Sequence, residues 1–286
     1  PSLAPSARSA LHWSLTLATL IEGADPEILS ARQNVLVPSH PGGDRLVVNG
    51  YDALPKYLAQ GLAIRLREPV VRIRHGARRV QVDTVRDTFE ADYAIVTLPL
   101  GVLKAEAVRF DPELPLPKRR AIARLGMGVL DKVALRFSTA FWPAEPPAFG
   151  YIERRAAFPL LLNGRYYQDA PVLIAFAAGT AAKALEGHSD AVIVGKALAV
   201  VRRLFGAAVP DPFAARVTRW AADPYALGSY SHFRVGSSPA DHAALAGPVG
   251  ERLLFAGEAA DPLHPATVHG ALCSGEREAN RILERH

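Results

Sequence analysis

The sequence has little or nothing of several features that would mark a class of protein. One cysteine among 286 residues excludes an internal disulfide, and we expect a reducing, cytoplasmic location. No apolar run approaches the roughly 18 residues of a membrane span. The first residues also lack the charged and apolar regions of a signal peptide. Internal repeats, zinc-ligand spacings and a Ser/His/Asp nucleophile motif are absent as well, so we expect no metal site and no membrane partner.

The composition indicates a globular protein with a basic charge balance. The hydrophobic content is 49%, and 286 residues allow two domains. A net charge of +5 raises nucleic acid as a partner. The densest basic group alternates with apolar residues, as on the solvent face of strands; it comprises Arg65, Arg67, Arg72, Arg74, Arg78 and Arg79. We prefer a solvated sheet face to a phosphate track and expect no nucleic acid partner.

Hydrophobic periodicity predicts a mixture of helices and strands. The first helix is predicted over 6–21, with Leu11 and Leu15 on its buried side. Further helices are predicted at 52–61, 116–125 and 190–205, a loop at 38–43, and a short apolar stretch at 46–48 that leads into the second helix. Strands are predicted at 70–75, 79–83, 89–97, 129–137, 149–153, 160–163 and 172–177.

The last part of the chain predicts a strand, a turn and a helix. Residues 253–256 suit a buried strand that stops at Gly257, and Glu258 stands at its carboxyl end, where α/β sheets place ligands. Pro265 suits the first turn of a helix that runs from Thr267 to the C-terminus. The free N–H groups at a helix N-terminus favour negative charge.

Small residues give this closing helix a face that can lie close to the strand or to a flat ring. They are Gly270, Ala271, Ser274 and Gly275. The lone Cys273 stands among them as a small apolar residue. We therefore expect its side chain in the core.

Two further stretches stand out between the strands. In residues 97–104 a buried strand is stopped by Pro99 and followed by a short turn. Gly126 and Gly128 do not form a nucleotide-binding fingerprint, because position 131 is Asp and no strand precedes them. The strand that follows carries Lys132, a residue that by itself usually faces solvent.

Together these stretches resemble the flavin-containing amine oxidases, which include polyamine and monoamine oxidases and lysine-specific histone demethylases. The matching stretches are 97–104, 126–137, 216–231, 255–258, 265–271 and 274–279. The resemblance implies an α/β fold with a Rossmann-like FAD-binding domain, incomplete here, and a substrate domain with a mixed β-sheet and helices. It implies substrate-domain segments at 1–42 and 106–249 and FAD-domain segments at 43–105 and 250–286.

The resemblance also implies the chemistry. FAD would take a hydride at N5 from the carbon beside an amine nitrogen, giving an imine, and O2 would reoxidise it with release of H2O2. The partners would be O2 and a small-molecule amine, a polyamine or monoamine. The cofactor-binding residues carried over are Val71, Thr97, Leu98, Pro99, Trp220, Gly257, Glu258, Ala266, Thr267 and Val268.

Three catalytic positions follow from the same resemblance. Lys132 matches the lysine that points at flavin N5 and holds a water, and Tyr230 matches one wall of the aromatic cage that accepts the amine. His264 stands where the second wall is usually aromatic, which leaves substrate orientation and specificity open. The alternative is that His264 only shapes the turn before Pro265.

One part of the family pattern is missing from the sequence. Family members open with a βαβ unit that carries G-x-G-x-x-G, and no such motif follows a strand here. Since the sequence begins with Pro1 and not with Met, we expect a fragment, a partial gene or one chain of a split enzyme. The missing unit would then be an N-terminal segment or a partner chain. Such a chain should bind FAD weakly or not at all by itself, and we expect it to be inactive alone.

Two other functions stay open. An L-amino-acid oxidase would need an arginine for the substrate carboxylate, and Arg165, Arg219 and Arg234 are the candidates. The other possibility is a non-catalytic fragment that only pairs with a partner chain.

Overall fold

The computed structural model describes residues 4–34, 47, 50–153 and 156–285. The helices are α1 (Pro5–Glu22), α2 (Ala31–Asn34), α3 (Ala53–Leu58), α4 (Leu100–Lys104), α5 (Leu116–Arg124), α6 (Gly164–Gln168), α7 (Gly179–Glu186), α8 (Asp190–Phe205), α9 (Pro239–Ala246) and α10 (Val268–Leu283). The strands are β1 (Val70–His75), β2 (Val80–Thr84), β3 (Thr88–Ala91), β4 (Ala94–Val96), β5 (Arg109–Asp111), β6 (Gly126–Met127), β7 (Leu130–Arg136), β8 (Ala148–Gly150), β9 (Leu160–Asn163), β10 (Val172–Ala178), β11 (Ala214–Val217), β12 (Ser231–His232) and β13 (Leu253–Phe255). Short 3-10 helices lie at Pro26–Ile28 and Glu258–Ala260. The fold is mixed α/β, as predicted.

The chain divides into two compact units. The first comprises Pro1–Val35, Pro99–Gly101 and Arg124–Ser238, and the second comprises Leu36–Leu98, Val102–Ala123 and Pro239–His286. The predicted FAD-domain segments, 43–105 and 250–286, lie mostly in the second unit. That unit also takes in residues up to 123 and from 239 onward, which the sequence had placed in the substrate domain.

The first unit is built on an antiparallel sheet with strand order β11-β7-β10-β9-β8. Alternate residues of its long strands enter the core, among them Val133 and Leu135 on β7 and Leu173 on β10. They pack into one buried cluster with residues of α7 and α8. Each such side chain contributes about 1.5–3 kcal/mol when it leaves water. The opposite face of β7 and β10 is only half-buried, and it carries Lys132.

The first helix forms as predicted, but its buried side is different. Leu11 and Leu15 are 48% and 43% exposed, whereas Leu20, near the end of α1, is buried. The expected burial of Leu11 and Leu15 is therefore wrong. Only the last turn of α1 enters the core. The 3.6-residue periodicity therefore predicts the helix but not which of its turns is buried.

The second unit contains a sheet with strand order β3-β2-β1-β5. Ile73 and Val80 are buried on one face. On the other face Asp83 accepts from Arg72 Nε at 2.8 Å and from Arg74 Nη1 at 3.0 Å. Arg79 pairs with Glu90 at 3.3 Å. These ion pairs compensate the basic residues, which supports the interpretation of a solvated sheet face.

The predicted strand 89–97 is two strands in two different sheets, so that prediction is wrong in extent. β3 pairs with β2, and after a bend at Asp92 the strand β4 pairs in parallel with β13. The register places Phe255 opposite Val96. Arg252 fixes the bend, since its Nη1 donates to Asp92 O at 3.0 Å.

Buried charges join helices within the second unit. Lys118 of α5, which is 3% exposed, donates to Gly247 O at 2.6 Å and to the carbonyl of Leu245 at the end of α9. Burial lowers the pKa of Lys118 to about 7. Glu278 of α10 is also buried and accepts from Arg281 Nε at 2.9 Å. A cation at the C-terminal end of a helix is the favourable sign for the helix dipole.

Several shorter features differ from the sequence predictions or escape them. The helices α6, α7 and α9 were not predicted, and the turn after Pro99 is the short helix α4. Cys273 is exposed, so its predicted place in the core is wrong: it stands on the side of α10 that faces away from Ser274. The loop predicted at 38–43 and most of the stretch 46–49 lie outside the described residues.

Among the described residues, no helix has both the length and the apolar character required to cross a membrane. Within the same residues, no group of three or more His, Cys, Asp or Glu side chains could hold a metal ion.

Candidate active site

Four predicted cofactor residues come together at the carboxyl ends of two parallel strands in the second unit. β4 and β13 run side by side, and Ala256 N donates to Val96 O at 3.0 Å. Residues 97–98 and 257–258 therefore leave the sheet as neighbours. This edge is the place where ligands bind in parallel α/β sheets.

Two carboxylates hold the turn that follows. Glu258 Oε2 accepts from Ala266 N at 2.7 Å. Asp261 Oδ1 accepts from Leu263 N at 2.9 Å and from His264 N at 2.7 Å. Ala266 has a φ of +61°, a left-handed backbone that costs energy for a residue with a Cβ. The hydrogen bond that the Ala266 N–H donates to Glu258 keeps Ala266 in this conformation.

The N-terminus of α10 is capped by a threonine. Thr267 Oγ1 accepts from Gly270 N at 3.0 Å and donates to His264 O at 2.7 Å. A Cβ on Gly270 would lie 2.0 Å from the same carbonyl, so only glycine fits under the turn. Val268, the first residue of α10, is exposed. The predicted helix start is confirmed, with its first residue open to solvent.

Ser274 brings α10 close to the strand end, as the small-residue face predicts. Its Oγ accepts from Gly257 N at 2.8 Å and donates to Gly257 O at 3.1 Å. Gly257 has a φ of +119°, which favours glycine, and the position that a Cβ would take there is open space. A flat group could approach the backbone of Gly257 without meeting a side chain.

The remaining predicted cofactor residues belong to other parts of the chain's two units. Val71 is on β1, in a different sheet from β4 and β13, and its side chain is 43% exposed. Pro99 directly follows Leu98, and both Pro99 and Trp220 belong to the first unit.

Lys132 lies on the half-buried face of the first unit's sheet. It pairs with Phe176 of β10, and its Nζ lies 5.8 Å from the centre of that ring. Burial lowers the pKa of Lys132, and the negative charge of Asp131 partly opposes this effect. A lysine in this setting loses its proton more readily than one in water.

Tyr230 is fixed at both its backbone and its phenol. Its Oη donates to Ile21 O at 2.9 Å, at the end of α1, and its carbonyl accepts from Gly128 N at 2.8 Å. Burial, and then the charge of Glu22, raise the pKa of Tyr230 well above its usual value. The phenol therefore stays protonated and its ring keeps one orientation.

His264 has a clear structural part in the turn. Its backbone N–H and carbonyl are both bonded, to Asp261 and Thr267 respectively. Its ring lies 5.1 Å from the ring of His269, and Nδ1 is 3.7 Å from Asp261 Oδ1. These contacts favour the turn-shaping interpretation of His264, whose side chain is partly exposed.

Two carboxyl groups that bind the backbone at Trp220, the buried Asp131 and the half-buried Glu186, were missed by the sequence predictions. Asp131 Oδ1 accepts from Trp220 N at 3.1 Å, and Glu186 accepts from the next two amides, those of Ala221 and Ala222. A pattern could have revealed Asp131, because it occupies an inward position of β7 between Val129 and Val133. Glu186 ends α7, a helix that the sequence did not predict, so no pattern pointed to it.

Two of the three arginines considered for a substrate carboxylate are engaged with backbone carbonyls. Arg165 Nη1 donates to Trp142 O at 2.7 Å. Arg219 Nη2 donates to His188 O at 2.9 Å and pairs with Asp190. Arg234 is exposed. This arrangement disfavours a carboxylate site at Arg165 or Arg219.

The chain matches the profile of one protein family over almost its whole length. The match covers residues 5–283, and the family is described as flavin containing amine oxidoreductase. This chain belongs to that family. Membership makes FAD the cofactor that the site has to fit.

Individual relatives agree with this membership. Lysine-specific histone demethylase 1 homolog 2 of Arabidopsis thaliana is 42% identical over 254 residues, which are 86% of this chain and 34% of that protein. Possible lysine-specific histone demethylase 1 of Drosophila melanogaster is 39% identical over 276 residues, covering 85% of this chain and 31% of that protein. The chain thus spans about a third of the length of these relatives.

Solved structures share the fold. Cyclohexylamine oxidase from Brevibacterium oxydans superposes with a TM-score of 0.82 at 24% identity, over 96% of this chain and 64% of that one. A putrescine oxidase superposes with a TM-score of 0.69 at 21% identity, over 81% of this chain and 52% of that one. At these identities the likeness concerns the fold.

The residues of the second unit fit a flavin. The open backbone at Gly257 allows a flat ring system to approach. The exposed start of α10 at Val268 offers helix N-terminal N–H groups, which suit the carbonyl oxygens of a flavin ring and any negative charge on them. The left-handed backbone at Ala266 is strain of the kind that proteins keep at ligand sites.

Proposed function

We propose that this protein oxidises the C–N bond of an amine with FAD as its cofactor. The observation that carries the proposal is the convergence of residues 97–98 and 257–258 beside the capped start of α10, in a chain of the flavin amine oxidoreductase family. When bound, the flavin accepts a hydride from the carbon beside the amine nitrogen and is reoxidised by O2 with formation of H2O2.

The cofactor residues divide into two groups in this proposal. Backbone groups of Gly257, Ala266, Thr267 and Val268 would lie against the flavin and its polar edge. Glu258 would act indirectly, by accepting the hydrogen bond from the Ala266 amide. The other proposed contacts are Val71, Thr97, Leu98, Pro99 and Trp220. Fixed N–H donors stabilise negative charge with little reorganisation, which is the main electrostatic contribution that a protein makes at such a site.

Lys132 is proposed to hold a water molecule beside the flavin. Its half-burial and lowered pKa make its ammonium weakly solvated, so a hydrogen bond to one ordered water replaces part of the lost hydration.

Tyr230 is proposed to orient the amine. Its ring is held by the bond from its phenol to the end of α1, and an aromatic face attracts a cation by about 0.5–2 kcal/mol. Hydride transfer needs the neutral amine, so this contact should position the substrate more than trap its charge. His264 is proposed as a second contact with the amine, acting from the turn that it also shapes.

The substrate class has two candidates. A small polyamine or monoamine is the first, since the chain shares its fold with a cyclohexylamine oxidase and a putrescine oxidase. An N-methylated lysine is the second, because the curated relatives at about 40% identity are named lysine-specific histone demethylases. Both are amines whose carbon beside nitrogen can lose a hydride.

A substrate panel tests the proposal on the flavin-loaded protein. Bleaching of the flavin absorbance without oxygen, and H2O2 release with oxygen, are followed with spermidine, benzylamine, a dimethyl-lysine peptide and leucine. We expect at least one amine to reduce the flavin and leucine not to. Reduction by leucine would favour the amino-acid oxidase, and a bound flavin that no amine reduces would favour a non-catalytic pairing chain.

A His264→Tyr variant sharpens the choice of substrate. Tyrosine restores an aromatic ring at this position, so the ranking of kcat/KM among the amines should change while flavin binding stays the same. An unchanged ranking of kcat/KM would mean that His264 only shapes the turn and does not contact the amine.

A further inference from the structure

Two carboxyl groups in the first unit converge on one short stretch of backbone. The amides of residues 220–222 point in succession at acidic side chains: the first donates to Asp131 Oδ1 at 3.1 Å, and the next two donate to Glu186 at 2.8 and 2.7 Å. Thr218 Oγ1 adds a bond to Asp131 Oδ1 at 2.9 Å. Because neighbouring amides bind the two side chains, the two carboxyl groups lie together.

The remaining oxygen of Asp131 has an unusual environment. Asp131 is 4% exposed, and its Oδ2 meets no hydrogen-bond donor among the described residues. Glu186, which accepts from the two amides that follow the one bound by Asp131, is the neighbouring acid. Two carboxyl oxygens in such a position attract each other only when a proton lies between them. Burial, and then Glu186, raise the pKa of Asp131 to about 6.

Few other charges face this pair. Lys132 follows Asp131 on the same strand and points to the opposite face, and each affects the other only through its charge. Arg219 lies in the segment 218–222, which these hydrogen bonds hold and which we call the held segment. Its guanidinium donates to the Glu186 carbonyl and pairs with Asp190. When one proton lies between the two carboxyl groups, they bind each other and hold the backbone. When that proton is lost, the two carboxylates repel each other.

The held segment carries a proposed cofactor contact. Trp220 is 38% exposed, so its position depends on its backbone more than on packing around its ring. Thr218 extends the same network to Lys132: its Oγ1 accepts from Lys132 N at 2.8 Å, and its N–H donates to Lys132 O at 3.0 Å. One hydrogen-bond network therefore fixes the backbone of both residues.

We propose that Asp131 and Glu186 share a single proton and act as positioning residues for Trp220 and Lys132. The inference rests on the proposed function, which gives Trp220 and Lys132 their parts at the flavin. Loss of the shared proton leaves two adjacent negative charges, which repel each other and loosen the segment 218–222. The site should then respond to pH through residues that touch neither cofactor nor substrate.

Fluorine NMR tests the shared proton without any need for turnover. The sequence has three tryptophans, so 5-fluorotryptophan gives three resonances, and Trp220→Phe identifies the one from Trp220. In the unchanged protein we expect this resonance to move with a midpoint near pH 6. In Asp131→Asn the shift should disappear, because the amide keeps the acceptor oxygen and donates to Glu186 at every pH.

A matched control removes a carboxylate elsewhere in the same unit. Asp169 has a 95% exposed side chain, so Asp169→Asn should keep the titration of the Trp220 resonance. Glu186→Gln replaces the other member of the pair and serves as the second variant if Asp131→Asn does not fold. Persistence of the titration in either pair variant, or no titration in the unchanged protein, overturns the proposal.

The pH profile of flavin reduction separates this inference from the proposed function. In the flavin-loaded protein the rate of reduction by an amine should change near the same midpoint, and Asp131→Asn should flatten that part of the profile. If the fluorine resonance titrates as expected but no amine reduces the flavin, the proposed function fails and the pair stands. If amines reduce the flavin while the resonance does not titrate, the pair proposal fails alone.

Discussion

Each unit of the molecule uses two acidic side chains to hold a stretch of backbone, but the two arrangements differ. In the second unit Glu258 and Asp261 bind separate amides, and each carboxylate has its own N–H donors. In the first unit Asp131 and Glu186 lie together, and one oxygen has no donor among the described residues. The first arrangement depends on geometry alone, and the second depends also on a proton.

The comparison shows that the same chemical group can fix backbone in two ways. Where each carboxylate binds amides of its own, as Glu258 and Asp261 do, the limits are steric, and glycine and a helix cap decide whether the turn closes. Where an oxygen lacks a donor, protonation completes the hydrogen bonds and the hold becomes dependent on pH. Substitutions in the two units should therefore have different signatures.

The largest effect is expected from Gly270→Ala in the second unit. The added Cβ would lie 2.0 Å from His264 O, a backbone atom that cannot move without opening the turn. The free energy of unfolding, measured by urea denaturation, should fall by about 3 kcal/mol. Gly275→Ala on the same helix meets nothing within 4 Å and should be neutral or stabilising. Equal losses in both variants would contradict this account of the turn.

The next effect is the pH dependence of stability that Asp131 causes in the first unit. The pKa of Asp131 in the folded state, about 6, lies above its unfolded value of 3.8, so the folded state binds more protons between these values. Stability from this group is present below pH 3.8 and is lost as pH rises through about 6. The loss should be about 3 kcal/mol in the unchanged protein and should vanish in Asp131→Asn.

Denaturant titrations between acid and mildly alkaline pH measure this effect as the difference between the two proteins. Asp169→Asn, which removes an exposed carboxylate, should follow the unchanged protein. The free energy of unfolding of the unchanged protein minus that of Asp131→Asn should fall as pH rises; a difference that rises with pH would reverse the sign and reject the shared proton.

Lys132→Met should slow flavin reduction, flavin reoxidation, or both by at least tenfold. Methionine keeps the volume and removes the hydrogen bond to the proposed water, and tenfold corresponds to about 1.4 kcal/mol of barrier. Stopped-flow measurements of the two half-reactions give the rates. Lys183→Met, at an exposed position of α7, is the matched control and should leave both rates unchanged. Unchanged rates in Lys132→Met would return this lysine to a structural part.

The smallest effect is expected from the helix cap of the second unit. Thr267→Ala removes the oxygen that accepts from Gly270 N and should lower the free energy of unfolding by about 1 kcal/mol. Thr267→Ser keeps this oxygen and should recover most of the loss. Unlike the effect of Asp131→Asn, this loss should be the same at pH 5 and pH 8. A strong pH dependence would mean that the two units do not differ as described.

Sequence patterns predicted those parts of the fold that depend on local periodicity. The alternation in β7 and β10 and the start of α10 were readable from neighbouring residues, and both were found; the cap at Thr267 was not predicted. The split between β3 and β4 was not readable, because it depends on pairing with β13 far along the chain. Exposure of Leu11, Leu15 and Cys273 could not be read from residue type either.

Sequence motifs pointed to residues of the candidate site, but not to residues that act through another residue. Glu258 and Thr267 were proposed from the motif, and the hydrogen bonds that they make in the closing turn were not predicted. Asp131 was noticed only as a departure from a glycine fingerprint. Its contact with Glu186 joins a strand to the end of an unpredicted helix, and no spacing in the sequence encodes it.

The parallel pairing of β4 with β13 has a consequence for how the chain reaches its native state. The two strands are about 160 residues apart, and most of the first unit lies between them. Closing so long a loop costs entropy before any contact at the strand ends repays it, and contacts of such separation form slowly. During synthesis, residues 97–98 cannot contact residues 257–258 until the chain between them has left the ribosome. Acquisition of FAD should therefore follow the folding of the first unit rather than guide it.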